Sequence, residues 1–105
     1  MMTLWVSGFD WDSGNRAKCQ KHGVSIAEIE ALFVNGPRIA PDAKHSREED
    51  HMIAVGRTPA GRPIFVAFTL RTKQGHHYIR PVTARYMHAR EVAAYEKESA
   101  KAQNR

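Results

Sequence analysis

The 105-residue chain is long enough for one domain with a modest core, and its 42% hydrophobic content places it with globular rather than disordered proteins. No apolar run approaches the ~20 residues of a membrane helix, Met1 to Phe9 lacks the basic and apolar regions of a signal peptide, and a lone cysteine, Cys19, excludes an internal disulfide and fits a reducing cytoplasm. The net charge of +5, with six histidines beside it, favours a polyanionic partner.

Asp12 or Ser13 can cap a first short helix through about Lys21, with Gly23 as its stop. A second helix starts at Ser25, where Ser25 and Glu28 have capping-box spacing and Val24 and Ile29 that of a hydrophobic staple. Ile26, Ile29 and Phe33 form its apolar stripe, and Asn35-Gly36-Pro37 ends it. A short strand is predicted near Arg38 to Ala40. Strands follow at His51 to Arg57, Ile64 to Leu70 and His76 to Arg85, separated by turns at Pro59 to Arg62 and Thr72 to Gly75. Pro81 lacks an amide donor, so the last strand should lie at an edge or carry a bulge. A final helix should run from His88 to about Lys101 and fray from Ala100. Tight turns between consecutive strands imply an antiparallel sheet of three or four strands, with the helices covering one face. The fold class is therefore α+β, and all 105 residues should form one domain.

The charge is unevenly placed. Seven Arg or Lys and no Asp or Glu lie between Arg57 and Arg90. Arg57, Arg71, Lys73, His77 and Tyr78 are candidate RNA contacts within this block, since basic side chains meet phosphates and aromatic rings stack on bases. Arg80 and Arg85 are candidates to grip a phosphate through paired guanidinium donors. Strict alternation would turn the two to opposite faces unless a bulge near Pro81 resets the phase. Either arginine could instead pair with an acid such as Glu91 and lock the last helix.

Lys21 and His22 sit at a predicted helix C-terminus, where the dipole alone favours cations; His22 can also exchange protons near neutrality. His45, Glu48, Glu49 and His51 form a charged loop in which Glu and His can serve as base and acid, or simply be solvated. No metal-ligand spacing, nucleophile elbow or phosphate loop is present, so no cofactor is expected.

Several pieces, taken in order, carry a resemblance. Phe9, Trp11 and Asp12 form an F-x-W-D opening. Lys21-His22-Gly23-Val24-Ser25 is a complete K-H-G-V-S block. Glu49 precedes a strand holding Gly56, then come Arg80, Thr83-Ala84-Arg85, Glu91 and Tyr95. Across about residues 9 to 95 the chain resembles the BrnT family, toxins of bacterial type II toxin–antitoxin modules. It departs from that pattern at His51, where an arginine is common, at Thr83 in place of Ser, and at Pro81 in place of an aliphatic residue.

The resemblance implies a RelE-like fold and a cytoplasmic toxin that cleaves RNA and stops translation. It also implies neutralisation by a BrnA-like antitoxin, through which alone the complex reaches operator DNA. The expected chemistry is metal-independent: Arg80 and Arg85 on the phosphate, Glu49 as base, His51 or His22 as acid, and Lys21 adding electrostatic stabilisation. The alternative is an inactive basic module that binds RNA or an antitoxin without cutting.

Overall fold

The structure, a computed structural model, describes residues 6–42 and 51–103. In chain order it forms β1 (Gly8–Phe9), α1 (Ser13–Gln20), α2 (Ile26–Val34), β2 (Arg38–Pro41), β3 (Met52–Arg57), β4 (Pro63–Lys73), β5 (His76–Tyr86) and α3 (Ala89–Gln103). The strands make one sheet in the order β1-β5-β4-β3-β2. The α+β class expected from the sequence is the one observed. The sheet, however, has five strands and is mixed, because β1 pairs in parallel with β5. Two residues are too few to leave a periodic signal, so β1 is invisible to pattern reading.

Local chemistry sets the element ends. Ser25 caps α2, its hydroxyl accepting from the Glu28 amide at 3.1 Å while the Glu28 carboxylate accepts from the Ser25 amide at 2.9 Å. Val24 and Ile29 are both fully buried, as a staple requires. Asp12 caps α1 in the same reciprocal way, but with Asn15 in place of the usual Glu or Gln. The β4–β5 turn is tighter than expected: Thr72 and Lys73 belong to the strand and only Gln74-Gly75 form the loop. Their φ values of 53° and 81° are both positive, as a type I′ hairpin turn demands. Helix α3 spans Ala89–Gln103, close to the expected His88 to Lys101.

The sheet's two faces differ. Ile64, Val66 and Phe68 of β4, Ala54 of β3, and Ile79 and Ala84 of β5 meet Cys19, Val24, Ile29 and Leu32 in the core. Phe33 joins it, edge-on to Phe68 at 4.9 Å and to Phe9 at 5.9 Å. Each fully buried Leu, Ile or Phe contributes roughly 1.5–3 kcal/mol. Helices α1 and α2 cover this face. Helix α3 does not join them. Its polar partners Arg38, Arg57 and Arg85 fall by register on the opposite face, with Val55 and Phe65. The expectation that all helices share one face is thus corrected: the chain leaves β5 and crosses to the second face.

One irregularity governs β5. Ala67 pairs with Thr83 and Phe68 with Pro81, leaving Val82 unpaired as a bulge. The phase shifts by one residue there. Arg80, opposite Thr69, and Arg85, opposite Phe65, consequently stand on the same face.

Gly56 of β3 is where the core approaches closest. A Cβ placed on it would lie 2.6 Å from Leu32 Cδ1, and Leu32 is 2% exposed with little room to move. Gly56→Ala is therefore expected to destabilise the fold by about 1–3 kcal/mol, read as a lowered urea midpoint. An unchanged midpoint would mean that α2 shifts freely over β3.

Candidate functional site

Arg80 stands at one end of the second face, 22% exposed as a side chain. Its Nη2 donates to Asp12 Oδ2 at 2.8 Å, and its Nη1 lies 3.6 Å from Asp10 Oδ2. Both carboxylates come from the β1–α1 segment, which Asn15 fixes. Asn15 is buried, and its Nδ2 donates to the carbonyls of Asp10 at 3.0 Å and Pro81 at 2.9 Å. The Asn15 amide, then Arg80, hold the Asp12 carboxyl below its ordinary range. The bond to Asp12, in turn, raises the Arg80 guanidinium further. Lys73 Nζ donates to the other oxygen of Asp10 at 3.1 Å.

His51 belongs to the same end. Met52 pairs with Phe68, so the register places His51 next in line opposite Thr69, whose other neighbour is Arg80. His51 and Arg80 share a cavity of about 380 Å³ with Gly14, Asn15, Lys18, Pro81 and Val82. Glu49, the candidate base, and His45 and Glu48 lie outside the described residues.

Arg85 is engaged differently. Its Nη1 and Nη2 donate to the two oxygens of Glu91, each at 2.7 Å, and its guanidinium lies 4.5 Å over the Phe65 ring. Glu91 also accepts from the His88 amide at 3.1 Å. The Arg85 bonds, then that amide, draw the Glu91 carboxyl down to about 2. The geometry of a helix lock, one of the two possibilities for these arginines, is thus present at Arg85. Phe65 and Thr69 are four residues apart on β4, which puts Arg85 about 13 Å from Arg80.

A family model described as the ribonuclease toxin BrnT of type II toxin–antitoxin systems matches residues 11–91. The chain belongs to the BrnT family. A search of curated proteins returned no match. Membership makes the chain a ribonuclease toxin of a type II module, which implies an antitoxin partner and an RNA substrate.

In this BrnT chain the K-H-G-V-S block sits far from Arg80. Lys21 and His22 are exposed just beyond α1, and nine residues of helical rise separate Asp12 from Lys21, about 13 Å. They adjoin Tyr86 instead, whose hydroxyl donates to Glu28 Oε1 at 2.8 Å and lies 3.4 Å from the Gly23 carbonyl oxygen. The Glu28 contact holds the Tyr86 phenol above its ordinary range. Arg62 stacks on the Tyr86 ring at 3.5 Å. The candidate residues therefore do not gather in one place: Arg80 shares a cavity with His51, Arg85 lies further along β5 on the same face against Glu91, and the Lys21-His22 turn adjoins Tyr86, which the register puts on the core face.

The candidate RNA contacts divide likewise. Arg71, Lys73, His77 and Tyr78 lie on the part of the β4–β5 hairpin that extends past β3, with Lys73 6.0 Å from the Tyr78 ring and Thr72 bonded to His77. Arg57 is at the far end, donating to Glu96 at 3.3 Å. Cys19 is buried, and burial pushes its thiol up to about 11, which removes it as a nucleophile. Among the described residues no three His, Cys, Asp or Glu side chains converge as metal ligands.

Pattern reading did not find Asp10, Asp12 and Asn15 as the setting of Arg80, nor the Arg62–Tyr86 stack. Asp12 was readable as one of two possible caps, but the carboxylate's second role depends on β5, which is remote in sequence.

Two outcomes are expected here. Asn15→Ala removes the donor to the Asp10 and Pro81 carbonyls and should cost about 2 kcal/mol, measured by chemical denaturation; a negligible change would mean that water replaces the amide. Glu91, lowered on folding, stabilises above its ordinary value of 4.5 and loses that contribution as the pH falls toward 2. Hydrogen exchange should accordingly show α3 loosening over that range. Equal protection of α3 at pH 5 and pH 2.5 would contradict the Arg85 lock.

Proposed function

We propose that this BrnT protein is a metal-independent endoribonuclease of the bacterial cytoplasm that cuts single-stranded RNA and so inhibits translation. Cleavage is by attack of the ribose 2′-oxygen on the adjacent phosphorus. A base takes the 2′ proton, the P–O5′ bond breaks, and an acid protonates the departing 5′-oxygen, giving a 2′,3′-cyclic phosphate and a 5′-hydroxyl.

The observation that carries this reading is the shared cavity of Arg80 and His51 on the basic face of a BrnT chain. Arg80 is assigned to the phosphate and His51 to the acid. Glu49, two residues before His51, is assigned to the base. His22 is a full α1 length from Arg80, so the geometry favours His51 as the acid. Arg85, about 13 Å along the strand, takes a neighbouring phosphate when Glu91 yields it, with Lys21 adding positive potential. Arg71, Lys73, His77 and Tyr78 extend the RNA path along the hairpin, and Arg57 extends it at the other end.

The partner in this reading is a BrnA-like antitoxin whose acidic segment covers the basic face, a stretch without a carboxylate from residue 51 to 90. DNA contact belongs to the antitoxin. One observation favours the second reading, a basic module that binds without cutting: the Arg85 guanidinium is already occupied by Glu91.

Incubation with a long unstructured RNA in EDTA tests the proposal. Parent protein should cleave, and Arg80→Ala should lower the rate by about 10²-fold or more, the scale of losing one preorganised charge-stabilising donor. Arg85→Ala should chiefly weaken binding. RNA carrying 2′-deoxy sugars should resist. Salt-sensitive binding without products would support the non-cleaving module instead.

A further inference from the structure

Positive charge at the Arg80 cavity is scarcer than the basic face suggests. Arg80 is paired with Asp12 at 2.8 Å and approached by Asp10 at 3.6 Å, and Lys73 holds the other oxygen of Asp10 at 3.1 Å. Two cations thus meet two carboxylates, and the quartet carries no net charge. It aims the Arg80 guanidinium without giving the cavity a positive field. The proposed reaction needs such a field. Once the 2′-oxygen has lost its proton and bonds to phosphorus, the single negative charge of the phosphate becomes two, spread over its non-bridging oxygens. A cation already neutralised by carboxylates answers that change only in part.

Lys18 is placed to answer the rest. It is exposed on α1, one turn after Gly14, and lines the cavity with Arg80 and His51. Gly14, Asn15, Pro81 and Val82, which also line it, are uncharged. Among the described residues no carboxylate pairs with the Lys18 ammonium. Burial raises the thiol of the adjacent Cys19, and Lys18 and Arg80 both pull against that rise, so the two charges stand near one buried residue. Thr69, between His51 and Arg80 in the sheet, is buried with its Oγ1 unpartnered among the described residues, but it does not line this cavity. The helix dipole favours a cation in the last turn of α1. A cation in place of Gln20, in the same turn, would meet that preference from outside the cavity.

We propose that Lys18 is a catalytic residue of the ribonuclease reaction. Its ammonium contacts a non-bridging oxygen of the phosphate at Arg80 and supplies the positive charge that answers the negative charge developing there. Arg80, held by Asp10 and Asp12, orients the phosphate, and Lys18 stabilises its transition state. The inference rests on the ribonuclease reading.

Single-turnover cleavage of an unstructured RNA in EDTA compares the parent with Lys18→Gln, Lys18→Arg and the swap Lys18→Gln/Gln20→Lys. A second measurement is the affinity for the same sequence made with 2′-deoxy sugars, which binds without reacting. The rate should fall about 10- to 100-fold in Lys18→Gln, as for loss of one charge-stabilising donor at an exposed position. It should fall equally in the swap, which keeps the net charge and a cation in the last turn of α1 but moves it out of the cavity. Lys18→Arg should lie closer to the parent than to Lys18→Gln. Affinity for the unreactive strand should change less than about threefold, because the contact strengthens only as charge develops. All variants should melt like the parent, since Lys18 is exposed, and this separates lost rate from lost folding.

A parent-like rate in Lys18→Gln, with cleavage lost in Arg80→Ala, would overturn the role of Lys18 and leave the ribonuclease reading standing. A parent-like rate in the swap would do the same, by showing that Lys18 acts through the helix end or the net charge. So would a loss that appears wholly in affinity for the unreactive strand. A parent that cleaves no RNA would overturn the ribonuclease reading, and the role of Lys18 with it.

Discussion

The unpaired residue Val82 in β5 is the constraint on which the second face depends. Without it, two arginines five positions apart would point to opposite sides of the sheet. With it, Arg80 and Arg85 stand on one side while Ile79, Pro81 and Ala84 still fill the core. The break falls beside Pro81, which has no amide hydrogen to contribute to the ladder. Pro81's carbonyl is taken by the buried Asn15 amide, so the irregular backbone is anchored to α1. One bulge thereby links the orientation of the arginines to the position of the helix that supplies Asp12.

Each principal arginine is held by carboxylates that come from outside the basic block. Asp10 and Asp12 reach Arg80 from the N-terminal segment, and Glu91 and Glu96 reach Arg85 and Arg57 from α3. Such pairs at a protein surface add little stability, about 0–1 kcal/mol each. Their stronger effect is on direction: a guanidinium fixed by a bidentate carboxylate, as Arg85 is, loses rotamer freedom before any ligand arrives. A polyanion meeting this face exchanges partners with groups already aimed. The stacks of Arg85 on Phe65 and Arg62 on Tyr86 hold the flat guanidiniums in the same manner.

Features encoded locally were legible in the sequence. Ser25 with Glu28, Gly23, Asn35-Gly36-Pro37 and the glycines of both hairpin turns act within a few residues, and each does in the fold what its spacing implied. Pro81 announced an irregularity because a missing donor is a property of the residue itself. Features made by remote pairing were not legible. Nothing near Phe9 shows that it will lie beside Ile79, and nothing near Arg80 shows that Asp12 will meet it. Thr69 read as an ordinary strand residue, since burial and the absence of a partner depend on three strands at once. The separation of Lys21 and His22 from Arg80 follows from the length of α1, which was predicted, and from its direction beside β5, which was not.

The pairing of β1 with β5 bears on the order in which the chain becomes competent. Asp12 and Arg80 are 68 residues apart, and β5 is also the strand against which α1 packs. A chain still emerging from the ribosome can form α2, β3 and the β3–β4 hairpin from neighbours, but its first strand has no partner until β5 exists. Distant closures of this kind come late because their entropic cost precedes their reward. The end of the molecule that holds Arg80 is then assembled last. In a ribonuclease toxin built this way, Asp12 and Arg80 come together only at the close of synthesis.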